Sequence, residues 1–149
     1  MNYFLIPLLC ALLAFASNAA AVVPLNVDVT QATIGRTICV PGYTRTVRPS
    51  TSYTNAVKRR MLLAQGIPVA NAQSYELDHI IPLTLGGHPR SLDNFMLQLW
   101  EGPNGAKAKD KLEPRLKRLV CAGKLPLAEA QSCIYKNWQA CARQYPGAK

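Results

Sequence analysis

The chain has 149 residues, with 17 Lys and Arg against 8 Asp and Glu, a formal net charge of +9. Such a length suits one domain, and a hydrophobic share of 49% builds a packed core and excludes a disordered chain. Outside the N-terminus nothing approaches the ~18 apolar residues of a membrane span, which excludes a multi-span membrane protein.

The first charged side chain is Asp28. Phe4 to Phe15 is an apolar run with the length of a signal-peptide core, and Ser17 to Ala21 supplies the small residues that signal peptidase needs. The expectation is a signal peptide over residues 1–21, a mature domain over 22–149, and a periplasmic or secreted location. Cys10 leaves with the signal. Cys39, Cys121, Cys133 and Cys141 remain, and in an oxidising compartment they suggest two disulfides with three possible connectivities. On an unbroken helix Cys133 and Cys141 would stand ~12 Å apart along the axis, whereas a disulfide requires Cα atoms within ~7 Å. The favoured pairing is Cys39–Cys121 with Cys133–Cys141, which requires the last helix to break near Asn137 and Trp138. A Cys39–Cys133 link is the competing arrangement.

Between Val22 and Thr46, β-forming residues separated by Pro24, Gly35, Pro41 and Gly42 predict extended segments and turns. Tyr53 to Gln65 predicts a helix, capped from Ser50, Thr51 or Ser52, with Val57, Met61 and Leu62 as its apolar stripe and Gly66 at its end. Tyr75 to Pro82 is a short β-rich run, Gly86 to Arg90 a loop, and Phe95 to Leu99 a second short strand. A helical pattern begins at Asn104 and is split by Pro114, with Leu112, Leu116, Leu119 and Val120 buried and Gly123 at its close. Pro126 opens a final amphipathic helix over Leu127 to Tyr145. The fold class expected is α+β: one domain, a small two-stranded core among three or four helices, stapled by disulfides.

The chemistry concentrates between Tyr75 and Cys121. Asp78 offers a hard oxygen for a divalent cation, and His79 beside it offers a base that is neutral near pH 7. Adjacent strand side chains face opposite ways, so both serve one site only if the strand ends or bends there. Glu76 reads as an exposed strand residue, His88 as a surface residue, Lys109 and Glu113 as a pair on a helix face, and Trp100 and Trp138 as core or interface.

The run Asp78-His79-Ile80-Ile81-Pro82-Leu83, then Gly86-Gly87, Asp93-Asn94 and Asn104 to Lys107 at a helix start, resembles the HNH endonuclease family, whose motif is a ββα-metal finger. The resemblance covers about 40 residues and implies a metal-dependent endonuclease that hydrolyses phosphodiester bonds in DNA with low sequence specificity. It implies that His79 is the general base, that Asp78 holds the metal, that Asn94 pins the connection between the strands and so orients His79, and that Asn104 is the second metal ligand at the helix start. Gly105 follows Asn104, so a slip of one position would remove that ligand, and Asp110 is the alternative. Hard oxygen ligands and a small ligand count suit a single Mg²⁺ or Mn²⁺. The positive balance supplies attraction to a polyanion, with Lys58, Arg59, Arg60, Lys107, Lys109 and Lys111 as leading phosphate contacts, joined by Arg115, Lys117 and Arg118. The competing functions are a catalytically inactive nucleic-acid-binding module of the same ancestry and an interaction protein of the cell envelope.

Overall fold

The computed structural model describes residues 23–147; the expected signal segment and Cys10 lie outside the described residues. The two expected strands are present. β1 (Tyr75–His79) and β2 (Phe95–Leu99) pair antiparallel, with Tyr75 opposite Leu99 and His79 opposite Phe95. Among the described residues five α-helices accompany them: α1 (Tyr43–Val47), α2 (Thr51–Ala64), α3 (Ala106–Lys109), α4 (Glu113–Cys121) and α5 (Leu127–Gln144). This is an α+β arrangement, a small antiparallel sheet among helices.

Each helix follows from its local chemistry. The Ser50 hydroxyl accepts from the Tyr53 amide and starts α2, and Gly66, at φ +68°, ends it in the left-handed region. Val57 and Leu62 are the buried residues of α2. Pro114 lies in the first turn of α4, where its missing N–H costs nothing, so the pattern begun at Asn104 is divided into α3 and α4. Leu112, Leu116 and Val120 are fully buried and meet Leu127, Ala130, Ile134 and Trp138 of α5 in one core with Ile81 and Leu85. An isolated two-stranded hairpin is marginal in water; here Ile81 and Leu85, in the connection between the strands, anchor the sheet to the helices.

Both favoured disulfides are formed: Cys39–Cys121, with Cα atoms 5.6 Å apart, and Cys133–Cys141, at 5.4 Å. The second is possible because α5 is broken at Asn137, whose backbone is extended (φ −164°, ψ 95°). The Asn137 side-chain oxygen accepts from the Ala140 amide at 2.8 Å and recaps the helix beyond the break. Disulfides of this kind belong to an oxidising, extracellular type of compartment. Among the described residues no helix is long and apolar enough to cross a membrane.

The region before α2 departs from expectation. Instead of extended segments it forms turns, a 3₁₀ turn at Ile34–Arg36 and α1, with one isolated bridge between Leu25 and Gly87. Its threonines bond to their own backbone: the Thr33 hydroxyl donates to the Asp28 carbonyl and the Thr37 hydroxyl to the Thr33 carbonyl. Local bonds of this type compete with strand pairing, and Val29 and Ile38 are buried against the helices rather than in a sheet. Likewise β1 stops at His79 rather than Pro82. The Ile80 amide turns to the Asn94 carbonyl, and Leu83–Leu85 forms a 3₁₀ turn.

Cys39 and Cys121 are 82 positions apart, whereas Cys133 and Cys141 are separated by 8. On the chain-entropy relation the long link is worth about 4.5 kcal/mol and the short one about 2.5 kcal/mol. Urea unfolding of the Cys39→Ser/Cys121→Ser and Cys133→Ser/Cys141→Ser variants should show the larger loss for the first pair.

A candidate active site at the end of the two-stranded sheet

Asn94 organises the site. It is fully buried at the end of a 3₁₀ turn (Leu92–Asn94), and its carboxamide closes the connection between β1 and β2 onto itself. The side-chain oxygen accepts from the Ile81 amide at 2.9 Å, and the side-chain nitrogen donates to the Ile81 carbonyl at 3.0 Å and the His88 carbonyl at 2.9 Å. Gly87 lies against this knot: a Cβ there would fall 1.8 Å from the Ile81 carbonyl oxygen and 2.7 Å from Asn94 Nδ2. His88, expected at the surface, is half-buried and builds the loop, its Nδ1 accepting from the Arg90 and Ser91 amides at 3.1 and 2.9 Å.

The loop held in this way presents the Pro89 carbonyl to His79 Nε2 at 3.2 Å. A carbonyl only accepts, so this contact places the proton of a neutral imidazole on Nε2 and leaves the Nδ1 lone pair free. The ring also packs on Phe95, its cross-strand neighbour, with centroids 4.6 Å apart. His79 is 8% exposed. Burial is the main force lowering its pKa below the ordinary 6.5, with Arg48 and Lys109 adding to it against the Pro89 contact and Asp78. The imidazole is thus held neutral.

Asp78, the preceding residue, is also buried, and both of its oxygens are engaged. Oδ1 accepts from the His79 amide at 2.7 Å and Oδ2 from the Lys109 ammonium at 2.9 Å. Lys109 is fully buried and also donates to the His79 carbonyl at 2.8 Å and to Glu113 Oε1 at 2.7 Å. Burial alone would lower its pKa, but the carboxylates of Glu113 and Asp78 outweigh that and hold it above the ordinary lysine value. Lys109 is therefore unavailable to phosphate. Its expected role as a nucleic-acid contact is corrected here, because Asp78, Glu113 and the His79 carbonyl, gathered around it by the fold, use up its three donors.

Asp78 and His79 line a single cleft of about 280 Å³ together with Glu76, Phe95, Trp100 and, from the other side, Arg48, Thr54, Asn55 and Lys58. The end of β1 at His79 is what lets two adjacent side chains share it. Glu76 is half-buried rather than exposed, and its Oε2 is buried with no hydrogen-bond partner, as is Oε1 of its cross-strand partner Gln98. Burial, then the nearby Asp78 and Asp110, push the Glu76 carboxyl up to about 7. Asp110 is similarly raised, by burial and then by Asp78. Glu76 and Asp78 thus put carboxyl oxygens into the same cleft that Arg48 and Lys58 line.

Asn104 is not brought to this cleft. It is exposed, it lines a separate hollow with Tyr75, Met96 and Trp138, and its carbonyl accepts from Gln98 Nε2 at 2.9 Å. The reason is local: Gly105 fits against the Trp100 and Glu101 carbonyls, where a Cβ would come within 2.8 and 2.4 Å, and this close turn carries Asn104 outward. Asp78 instead shares the cleft with Glu76, while Asp110 does not line it and is only near enough for the Asp78 charge to act on it. Among the expected cationic contacts, Lys58 lines the cleft, Arg59, Arg60 and Lys111 are exposed, and exposed Lys107 pairs with Glu101. Glu76 was legible as a site residue from its i, i+2 spacing to Asp78 on a strand. Arg48, between α1 and α2, carried no such signal.

Comparison of the chain with protein-family models, curated proteins and solved structures returned no match.

Asn94→Ala orphans the Ile81 amide and carbonyl in the interior, each at ~1–3 kcal/mol for a buried polar group left unpaired. A loss of about 3 kcal/mol in urea unfolding is expected; a loss under about 1 kcal/mol would show that the knot is dispensable.

Proposed function

We propose that the protein is an exported, divalent-metal-dependent endonuclease of the HNH type, hydrolysing phosphodiester bonds in DNA with low sequence specificity. The observation that carries this reading is the convergence of Asp78 and a neutral His79 on one cleft that Arg48 and Lys58 also line, beneath the connection pinned by Asn94. The ββα-metal finger is then β1, β2 and the short helices α3 and α4. The apolar N-terminal run and the two disulfides support export.

The donors in the cleft suit a hard cation. Glu76 Oε2 is a buried oxygen without a partner, and it shares the cleft with the Asp78 carboxylate. Asp78 and Glu76 would hold one Mg²⁺ or Mn²⁺, with Asp110 at the margin, in place of the expected Asp78 and Asn104. Such an ion, when bound, supplies Lewis-acid stabilisation of charge on the phosphate oxygens. Among the described residues no group of three or more His, Cys, Asp and Glu side chains is arranged as a ready-made metal site, and hydrated Mg²⁺ binds through one or two carboxylates plus substrate phosphate.

The chain's own residues supply the remaining steps. Arg48 and Lys58 attract the phosphate backbone to the cleft, a form of recognition that carries no sequence information. His79 takes a proton from the attacking water at Nδ1. The Pro89 carbonyl holds the ring during that transfer and stabilises the proton already on Nε2.

Nicking of supercoiled plasmid by the oxidised protein should require Mg²⁺ or Mn²⁺ and stop on addition of a chelator. His79→Ala should lower the rate by ~10²–10⁴-fold, the usual contribution of a general base, with DNA binding retained. Cleavage at the wild-type rate by folded His79→Ala would overturn the assignment, and cleavage of RNA alone would revise the substrate. Because burial favours neutral imidazole, the base stays deprotonated to lower pH, so the acid limb of the rate profile should lie below 6.5; a limb above that value would point to a different base.

Binding should weaken steeply with salt. With Arg48 in place of Lys109, the set Arg48, Lys58, Arg59, Arg60, Lys107 and Lys111 gives about six phosphate contacts and a slope of log K against log salt near −5. A slope near zero, or strong preference for one short site, would refute the backbone-contact reading.

A further inference from the structure

An ammonium has three N–H donors, and Lys109 spends them all inside the protein, on Asp78 Oδ2, the His79 carbonyl and Glu113 Oε1 at 2.7–2.9 Å. A lysine with no exposed surface touches no ligand, and the paired Asp78 and Glu113 carboxylates offset its charge. Nor is a buried ion pair a cheap source of stability, since apolar residues of similar volume commonly do as well. What distinguishes this ammonium is the identity of its partners. Two of them are the adjacent residues at the end of β1 that line the cleft.

We infer that Lys109 is a positioning residue: its ammonium acts as a resident cation that locks the Asp78 carboxylate and the His79 backbone into one fixed geometry before substrate arrives. The inference rests on the nuclease reading for its consequence, though not for its geometry. The Asp78 carboxylate is held at both ends, by the His79 amide on Oδ1 and by Lys109 on Oδ2, so its plane cannot rotate. The remaining lone pairs keep a constant direction in the cleft. His79 is held likewise at two points, its carbonyl by Lys109 and its ring by Pro89, so backbone and imidazole are fixed independently. Glu113 anchors the ammonium from α4, one helical turn after Lys109. Without the charge, Asp78 and Glu113 become uncompensated buried carboxylates, and one of them must take up a proton or turn away.

The test uses the full oxidised protein and two variants. Lys109→Met keeps most of the stem's volume and removes the charge. It should retain the circular-dichroism spectrum and the KM for plasmid within about threefold while kcat falls ~10²-fold, the usual cost of an ångström-scale misplacement in a reacting site. Lys109→Ala opens the cage, and n-propylammonium, which replaces the carbons and the charge removed, should restore cleavage and raise the thermal midpoint; n-propanol, of the same shape without charge, should do neither. The wild type should respond to neither additive. Wild-type kcat in Lys109→Met, equal rescue by propanol, or failure of both variants to fold with the amine adding nothing would each overturn the inference. If the wild type cuts no nucleic acid, the nuclease reading falls, while amine-specific recovery of the thermal midpoint, measured without metal or nucleic acid, still decides whether a cation holds the cage. If the wild type cuts and Lys109→Met cuts equally well, the nuclease reading stands and the positioning role falls.

Discussion

Everything at the sheet end depends on one buried carboxamide. An irregular connection carries backbone polar groups that neither strand pairs, and burying them bare would cost more than the local packing returns. Asn94 removes that cost by bonding to the amide and the carbonyl of the same residue, Ile81, and to the His88 carbonyl. Ile81 can then point into the core, Gly87 can approach within the space of a hydrogen atom, and the Leu25 bridge can form against Gly87. The Pro89 carbonyl that orients His79 is carried by the same loop. Aspartate, of the same shape but without the NH₂ donors, and leucine, with neither donor nor acceptor, would leave part of the knot unmade.

The charge pattern at the site runs against that of the whole molecule. The chain carries +9, yet Glu76 and Asp78 line the cleft, and Asp110, Glu113 and Lys109 lie close enough for their charges to act on the Glu76 carboxyl. A uniformly basic cleft would draw a polyanion and have no use for a cation. Carboxyl oxygens beside Arg48 and Lys58 let one cleft offer cationic groups to an anion and hard oxygens to a cation.

The sequence carried the elements better than the interior of the site. β2, α5 and the break at Pro114 were legible because apolar period and proline placement are local signals, and cysteine spacing required a break in α5 if Cys133 pairs with Cys141. The segment before α2 was not, since threonine serves strands and self-bonded turns equally, and its choice was made by burial of Val29 and Ile38 and by the link from Cys39 to Cys121. Asp78, His79 and Asn94 were legible from their pattern. Asn104 was not correctly placed, because the tight turn at Gly105 depends on contact with the Trp100 and Glu101 carbonyls. Lys109 illustrates the same limit. Its i, i+4 spacing to Glu113 predicted the pair, but a surface pair and a buried one look identical in sequence, and only the second and third partners, from β1, decide between them.

The staples and the site are mechanically connected. α4 begins at Glu113, which anchors the Lys109 ammonium, and ends at Cys121, which is bonded to Cys39. Between those ends, Leu116 and Val120 are fully buried against α5. α4 is therefore fixed by a charge cluster at its start, a covalent bond at its end and core packing along its length. A site built of adjacent strand residues has no slack of its own: Asp78 and His79 move together with β1, which is one of only two strands among the described residues. The rigidity must come from outside the sheet, and Lys109 with Glu113 transmits it from the disulfide-bonded helical frame to the residues of the cleft.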